Sequence, residues 1–515
     1  MKADAPAGPG TKPPSGDDLD TGSLQQGRRK ALRKLSALMG ASLLPGLPSC
    51  GGDDSAVAAP ADTTAQGAGA PGPSASLPQQ IDVGFRTVST ATQLDGSFAG
   101  FSFEKDPLAN PLFTPANTAL IRLFGLLGPG VMRIGANGVD RTSWRGLQPD
   151  LAPIQPAQID ALAGFLQATQ WRIIYGVNQA RNTSANAASE AAYVSQRLGS
   201  SLLAWEIGNE PDLYRRNNYR PDSWTYADYL AEWRALRNAM SAASPNVPFS
   251  GPATSYNLER FTFPFARDEG ARISLLTHHY YRADRNDPDS NLALLLQPDP
   301  DLPSELASLV KAAADAGTSG GFRMAEANSF FGGGVPNVSN AFGTALWVID
   351  FLFTCALAGS TGVNLHGGGS GPGYTPIAEQ RGTVVEARAE FYGMVMFAQA
   401  AQGTAMDSVL TPRSAANVSA WGVKRPDGGL NAILLNKDPT RTVAMNVITG
   451  VSATSFTPLW LRGTSLSASS GHTLGGSPIT RDGNWSPQAE AALTATGGQL
   501  AVSLPPASAL LLRSA

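Results

Sequence analysis

The feature that most constrains how this chain can fold is an alternation. Between Phe98 and Gly403, short apolar runs take turns with helical stretches eight times over. The runs are 100–103, 131–134, 172–177, 202–207, 248–251, 273–278, 322–325 and 362–365. The clearest helical stretches are 117–127, 158–170, 190–198, 226–240, 305–316, 341–358 and 384–400; the one at 258–267 is weak. A strand that returns to the next strand through a helix pairs with it in parallel. Eight such units predict a closed (β/α)8 TIM barrel over 98–403, an α/β fold.

After Gly403 the pattern changes. Runs 419–424 and 430–436 flank Arg425-Pro426-Asp427-Gly428-Gly429, a hairpin signal, and short β runs continue to the C-terminus. Residues 404–515 therefore read as an all-β sandwich domain, and 81–97 as an N-terminal strand that joins it.

The first 80 residues read as something other than fold. Arg28-Arg29-Lys30 precedes a modest apolar stretch, 35–47, too short to span a membrane. This resembles a twin-arginine export signal, and Leu47-Pro48-Ser49-Cys50-Gly51 resembles a bacterial lipoprotein cleavage box. Residues 1–50 are expected to direct export, with lipid on Cys50, and 51–80 to form a flexible linker rich in Ala, Pro, Gly and Ser. The expected location is the periplasm or cell envelope, or secretion, with membrane contact only through that lipid.

Composition narrows the chemistry. Charged residues make up only 15% and the formal net charge is −3, with no basic stripe after the first segment, so nucleic acid is not an expected partner. No Lys/Arg cluster is apparent beside the motifs described next, which argues against a polyanion cleft. Two cysteines in no CxxC or Cys/His pattern suggest no metal site, and no cofactor is expected. Cys355, in an apolar helical run, reads as a buried free thiol.

Two glutamates carry the site. Glu210 lies in Gly208-Asn209-Glu210-Pro211 after the fourth strand, and Glu326 in Glu326-Ala327-Asn328-Ser329 after the seventh. In a TIM barrel the C-terminal strand ends form the catalytic face. Two carboxylates brought there from separate strands are what cleavage of a glycosidic bond needs. One protonates the leaving oxygen; the other attacks the sugar or activates water.

The chain also resembles a known family. Phe101-Ser102-Phe103-Glu104-Lys105, Leu127-Gly128-Pro129-Gly130-Val131-Met132-Arg133-Ile134-Gly135, Gly208-Asn209-Glu210-Pro211, His278-His279-Tyr280-Tyr281 and Glu326-Ala327-Asn328-Ser329 occur in the order of the motifs of glycoside hydrolase family 79. That family holds the β-glucuronidases and heparanase, and the chain looks closer to its bacterial β-glucuronidase branch. The resemblance implies a retaining exo-β-glucuronidase acting on a glucuronic-acid-containing glycoside or polysaccharide. Glu210 would be its acid/base, Glu326 its nucleophile, and Tyr280 the hydroxyl that orients the nucleophile. It also implies that Asn209 grips the sugar 2-OH, that His278 supports the same network, and that Glu104 and Asn137 hold hydroxyls at the non-reducing end. The Gly373 amide and Tyr374 hydroxyl would bind the glucuronate carboxylate, in a Gly-rich loop where backbone N–H groups can approach an anion. Phe331 stands where the family commonly has Tyr, leaving a ring without a hydroxyl beside the sugar, and Ala136 stands where a Gly is usual. A heparanase-like endo-β-glucuronidase is the alternative within enzymes. A non-catalytic surface sugar-binding lipoprotein is the alternative of another class.

Overall fold

The computed structural model describes residues 80–412 and 414–515; the expected export signal, its Cys50 and nearly all of the linker lie outside the described residues. Strand β1 (Ile81–Thr87) precedes the barrel. The barrel strands are β2 (Ala99–Glu104), β3 (Val131–Gly135), β4 (Arg172–Val177), β5 (Leu202–Ile207), β6 (Phe249–Thr254), β7 (Leu275–Asp284), β8 (Phe322–Phe331) and β9 (Val363–Gly367). They close in that order, every pair parallel and β9 returning to β2. Both faces of each strand are covered, one by the barrel interior and one by helices. Hence β3 and β6 are buried along their whole length.

The connecting helices are α1 (Thr118–Leu127), α2 (Pro156–Thr169), α3 (Ser184–Leu198), α4 (Tyr226–Ala243), α5 (Phe263–Glu269), α6 (Leu302–Asp315), α7 (Gly343–Ala358) and α8 (Ala389–Ala400). Local chemistry fixes their starts. The side chains of Asn117, Thr183 and Thr225 accept from the third amides of α1, α3 and α4, and Asp228 accepts back from the Thr225 amide at 2.8 Å. Helices α7 and α8 are apolar nearly all round because they are covered on both sides, by the barrel and by the C-terminal sheet. Cys355 sits inside α7 as a buried free thiol, and burial pushes its ionisation up. No described helix is long and apolar enough to cross a membrane.

Two strands run further than their sequences suggest. Strand β7 continues to Asp284 and β8 to Phe331, past the expected ends at 278 and 325. Above the barrel rim they hold each other, with Ala283 opposite Phe330 and Asp284 opposite Phe331. Residues that read as loop are therefore strand, and their side chains obey the two-residue alternation of a strand.

The β domain hydrogen-bonds as one eleven-stranded mixed sheet, nine strands in an unbroken order and two branching from it, that encloses a core of its own. Ile81–Val83 pairs in parallel with Met445–Val447, and β1 pairs antiparallel with Gly403–Thr411. Alternate residues serve different cores. Ala432, Leu434, Leu510 and Leu512 pack in the sheet's own core, while Ile433, Leu435, Ala509 and Leu511 join the core of the barrel. The sheet is thus fixed to the barrel by every second side chain of its central strands.

Candidate active site

Construction starts with a cation inside the barrel. Arg133, on β3, is fully buried. Its Nε donates to Glu206 Oε2 at 2.6 Å, its Nη1 to Glu326 Oε2 at 2.6 Å, and its Nη2 to Asn209 Oδ1 at 2.9 Å. A planar guanidinium can satisfy three such acceptors at once, which an ammonium group could not do in fixed directions. The Thr277 hydroxyl donates to the other Glu206 oxygen at 3.1 Å, so that buried carboxylate is fully engaged. Arg133 thereby joins the interior layer to the mouth. The missed signal was a charged residue inside a run otherwise fit only for a buried strand.

Glu326 does not end its strand; β8 runs five residues beyond it. Tyr281 Oη donates to Glu326 Oε1 at 2.8 Å, while Arg133 holds the other oxygen. His366 on β9 lies 3.9 Å away. Burial alone would raise the ionisation of this carboxyl. His366, His279, Arg133 and the Tyr281 hydrogen bond outweigh it and hold Glu326 well below the usual carboxylate range. Arg133 is the one partner charged at every pH, so the carboxylate keeps its counter-ion throughout.

Glu210 sits just past β5, with φ +47°. Gly208 and Ala253 are also left-handed, and the Glu210 amide donates to the Ala253 carbonyl at 2.9 Å. A non-glycine residue in this region is strained, and such strain clusters at functional sites. Ala136, where a Gly is usual, has φ +49°, so the backbone keeps the left-handed turn without the glycine that would relax it. His279 Nδ1 is 3.0 Å from Glu210 Oε1. Burial would lower the ionisation of His279, but the Glu326 charge and the hydrogen bond to Glu210 raise it above its ordinary value. Glu210, His279 and Glu326 each offer an atom within 4.8 Å of the others. Three such atoms could hold a metal ion geometrically, but the Arg133 guanidinium already lies against Glu326, and like charge opposes a dication there.

Two expectations on β7 are corrected by one residue each. Tyr280 does not touch Glu326. Its ring stacks on Phe351 of α7 at 5.0 Å, and its hydroxyl donates to Asp299 at 2.8 Å. Tyr281 makes the bond assigned to Tyr280. His278 likewise points outward, its Nδ1 3.0 Å from Thr254 Oγ1 and its Nε2 3.8 Å from Glu305. His279 takes the inward place. The cause is strand parity: Thr277, His279 and Tyr281 face the interior, and their even-numbered neighbours face the helices. A register slip between His278 and His279, which skips Ala325 on β8, brings His279 level with Glu326. Arg323 also faces away, bonding Asn364 and the carbonyls of Thr361 and Ser97, and it makes no ion pair with Glu326.

The remaining expected residues surround the same mouth. Asn209 donates to Asn137 Oδ1 at 3.4 Å, and Asn137 is exposed toward the opening. Glu104 accepts a short hydrogen bond from the Gly138 amide, and burial raises its ionisation. Gly138 is required there, since a Cβ would lie 2.9 Å from Glu104 Oε2 and 2.2 Å from Asp106 Oδ1. Its neighbour Lys105 turns into the core and pairs with Glu190 at 2.6 Å. Phe331 meets Tyr281 edge-on at 6.5 Å. Tyr374 Oη lies 3.4 Å from Tyr281 Oη, so it stands next to the group that bonds Glu326. Gly373 has a reason beyond anion approach: an added Cβ would sit 1.6 Å from the Gly333 carbonyl, where two loops touch. Arg388 pins that loop by donating to the carbonyls of Ser370, Gly371 and Gly373.

The sequence and the fold have known counterparts. The chain is 28% identical to a β-glucuronidase of Aspergillus niger over 258 residues, 45% of this chain and 47% of that protein. It is 28% identical to a β-glucuronidase of Neurospora crassa over 231 residues, 39% of this chain and 40% of that one. Over these stretches the chain is similar to two β-glucuronidases, which are glycoside hydrolases. The matches span under half the length of these curated relatives, both are fungal, and neither supports placement in a bacterial branch. No family model matches the sequence. Among solved structures, a 4-O-α-L-rhamnosyl-β-D-glucuronidase of Fusarium oxysporum shares the fold at a TM-score of 0.70 and 19% identity, covering 84% of this chain and all of that one. A family 51 arabinofuranosidase of Xanthomonas axonopodis shares it at 0.61 and 14%, covering 85% and 100%. The fold is that of the TIM-barrel glycoside hydrolases with an added β domain.

Proposed function

We propose that the protein is a retaining exo-β-glucuronidase that removes terminal β-D-glucuronate by double displacement. The observation that carries this reading is the pair of carboxylates in unlike settings, with oxygens within 4.8 Å of each other. Retention needs carboxyl groups about 5–5.5 Å apart, whereas inversion leaves room for water at about 6.5–9.5 Å. Glu326, ionised beside Arg133 and Tyr281, attacks the anomeric carbon. Glu210 gives its proton to the leaving oxygen, and the bond to the aglycone breaks. Glu210 then takes a proton from water, which attacks the glycosyl ester and frees Glu326. Asn209, held by Arg133 and Asn137, presents its amide to the sugar 2-OH.

The glucuronate assignment is supported by the homologous β-glucuronidases and by the loop that carries Gly373 and Tyr374. Exo action rests on the family resemblance of the sequence motifs. Export with lipid on Cys50 belongs to the same proposal and rests on the N-terminal sequence alone; a Cys50→Ala chain that stays with membranes would remove the lipid step. The substrate reading is tested by comparing β-glucuronide with β-glucoside hydrolysis. A preference of at least ~100-fold for the glucuronide is expected when buried polar donors lose their anion. Tyr374→Phe should reduce that preference. Equal cleavage of both sugars would reject glucuronate specificity and leave the carboxylate pair standing.

A further inference from the structure

A cleft of about 580 Å³ begins at Pro211, the residue after Glu210, and one of its lining residues, Asp212, lies close enough to feel the Glu210 charge. Its walls come from the segment after β5, beginning at Pro211, and from the segment after β6, 256–261. None of Glu104, Asn137 or Tyr374 lines it; those residues follow β2, β3 and β9, away from this part of the ring. An acid/base sits at the scissile oxygen, with the glycone on the side of the nucleophile. A cleft that starts at the residue after Glu210 and avoids the glycone residues lies on the leaving-group side.

The lining has a definite chemistry. Arg215, Arg216 and Arg260 face it, which corrects the expectation that no cationic cluster flanks the motifs. Arg216 and Arg260 make no ion pair among the described residues, and Arg215 lies 3.8 Å from a nearly fully exposed Asp222. The acid of the cleft, Asp212, half-buried, is already committed: its two oxygens accept from the amides of Ser255, Tyr256 and Asn257 at 3.0, 3.2 and 3.2 Å. That clamp fixes the loop which presents Tyr256, a ring 37% exposed beside Arg216 and Arg260. A π-turn at Leu258–Thr262 follows and sets Arg260 and Phe261 on the wall; such turns are frequent at functional sites. The cleft therefore offers a ring face and two unpaired guanidinium groups, which bind carboxylate or sulfate in a fork.

We propose that this cleft is a leaving-group subsite for an aglycone that carries a ring and an anion, an acidic sugar or an acidic arene. The inference rests on the glucuronidase reading above and adds the chemistry of the group that leaves.

The test compares two matched pairs of substrates. One pair is 4-carboxyphenyl and 4-carbamoylphenyl β-glucuronide. The other is β-glucuronyl glucose with and without a 6-sulfate on the glucose. kcat/KM is measured for the wild type and for the double variant Arg216→Gln, Arg260→Gln. The wild type is expected to favour the anionic member of at least one pair by about 10-fold or more, the size of one charge-assisted hydrogen bond. The double variant should bring that ratio close to one, and added salt should shrink it in the wild type. A preference confined to the aryl pair assigns an arene, and one confined to the sugar pair assigns an acidic sugar. Turnover of the neutral members with no anionic preference in either pair overturns the subsite and leaves the glucuronidase reading intact. A preference that survives in the double variant also overturns it. Cleavage of no β-glucuronide at all removes both.

Discussion

The surroundings of Glu326 and Glu210 differ in kind. Glu326 has a permanent cation on one oxygen and a hydroxyl donor on the other, both held in the barrel wall. Glu210 sits on a strained turn, against one histidine and near a second carboxyl, Asp212. One environment keeps a carboxylate ionised and aimed by a permanent cation; the other holds a carboxyl against a histidine. In the proposed mechanism the division of labour between two chemically identical side chains is set by their neighbours. Arg133 is the neighbour that matters most, since it touches Glu326, Asn209 just before Glu210, and Glu206 beneath both.

Removing that cation should break the asymmetry with the largest effect. Arg133→Met leaves two buried carboxylates without their counter-ion, a change that costs about 3–5 kcal/mol in comparable buried pairs. We expect a clear drop in melting temperature and a loss of kcat/KM of three orders of magnitude or more, on the scale of about 1.4 kcal/mol per factor of ten. A stable, active Arg133→Met protein would mean that Glu326 needs no cation.

The two faces of β7 give a sharper contrast of intermediate size. Tyr281→Phe removes a donor from Glu326 and should lower kcat by about 10–1,000-fold, the range for loss of one electrostatic contact in an active site. Tyr280→Phe removes a donor from Asp299 on the helix side. It should leave kcat within a few-fold and act on thermal stability, by about 0.5–1.5 kcal/mol for one hydrogen bond lost, since Arg282 still pairs with Asp299 at 3.2 Å. Equal losses of kcat in both variants would erase the distinction between the faces.

The smallest effect concerns Asp212. Burial and the charge of Glu210 push its ionisation up to about 6, so the folded protein binds this proton more tightly than the unfolded chain does. The contribution is present at low pH and is lost as pH rises through about 6, because the native state must then carry a charge partly withdrawn from water beside Glu210. Asp212→Asn cannot ionise. Its melting temperature relative to wild type should therefore shift in its favour between pH 4 and pH 7. A constant difference across that range would show that Asp212 does not titrate there.

Much of the barrel was legible because its signals are periodic. Apolar runs and helical stretches alternate whatever their exact ends, and the barrel then puts Glu210 and Glu326 at one face. What failed was parity. His278 and Tyr280 differ from His279 and Tyr281 by a single residue, and nothing in His-His-Tyr-Tyr says which member faces inward. Only the register against β8, with its slip at Ala325, decides it. Strand length was hidden for a related reason, since β7 and β8 support each other above the rim through contacts between segments 40 residues and more apart. The arginine cleft was missed because Arg215-Arg216 and Arg260 lie on different loops and form no run in the sequence. Resemblance named Gly373 for anion binding, whereas its neighbour Gly333 supplies the steric requirement that is visible in the fold.

The central claim is that Glu326 becomes covalently attached to the sugar. It is tested most directly by incubating the enzyme with a 2-deoxy-2-fluoro-β-glucuronyl fluoride, which slows both steps but the second more, and mapping the adduct by mass spectrometry of peptides. The account predicts one glucuronyl adduct on the peptide containing Glu326, at the Glu326 carboxyl, and its release as turnover resumes. An adduct on Glu210, or inactivation-free turnover that yields the α-anomer first, would contradict it.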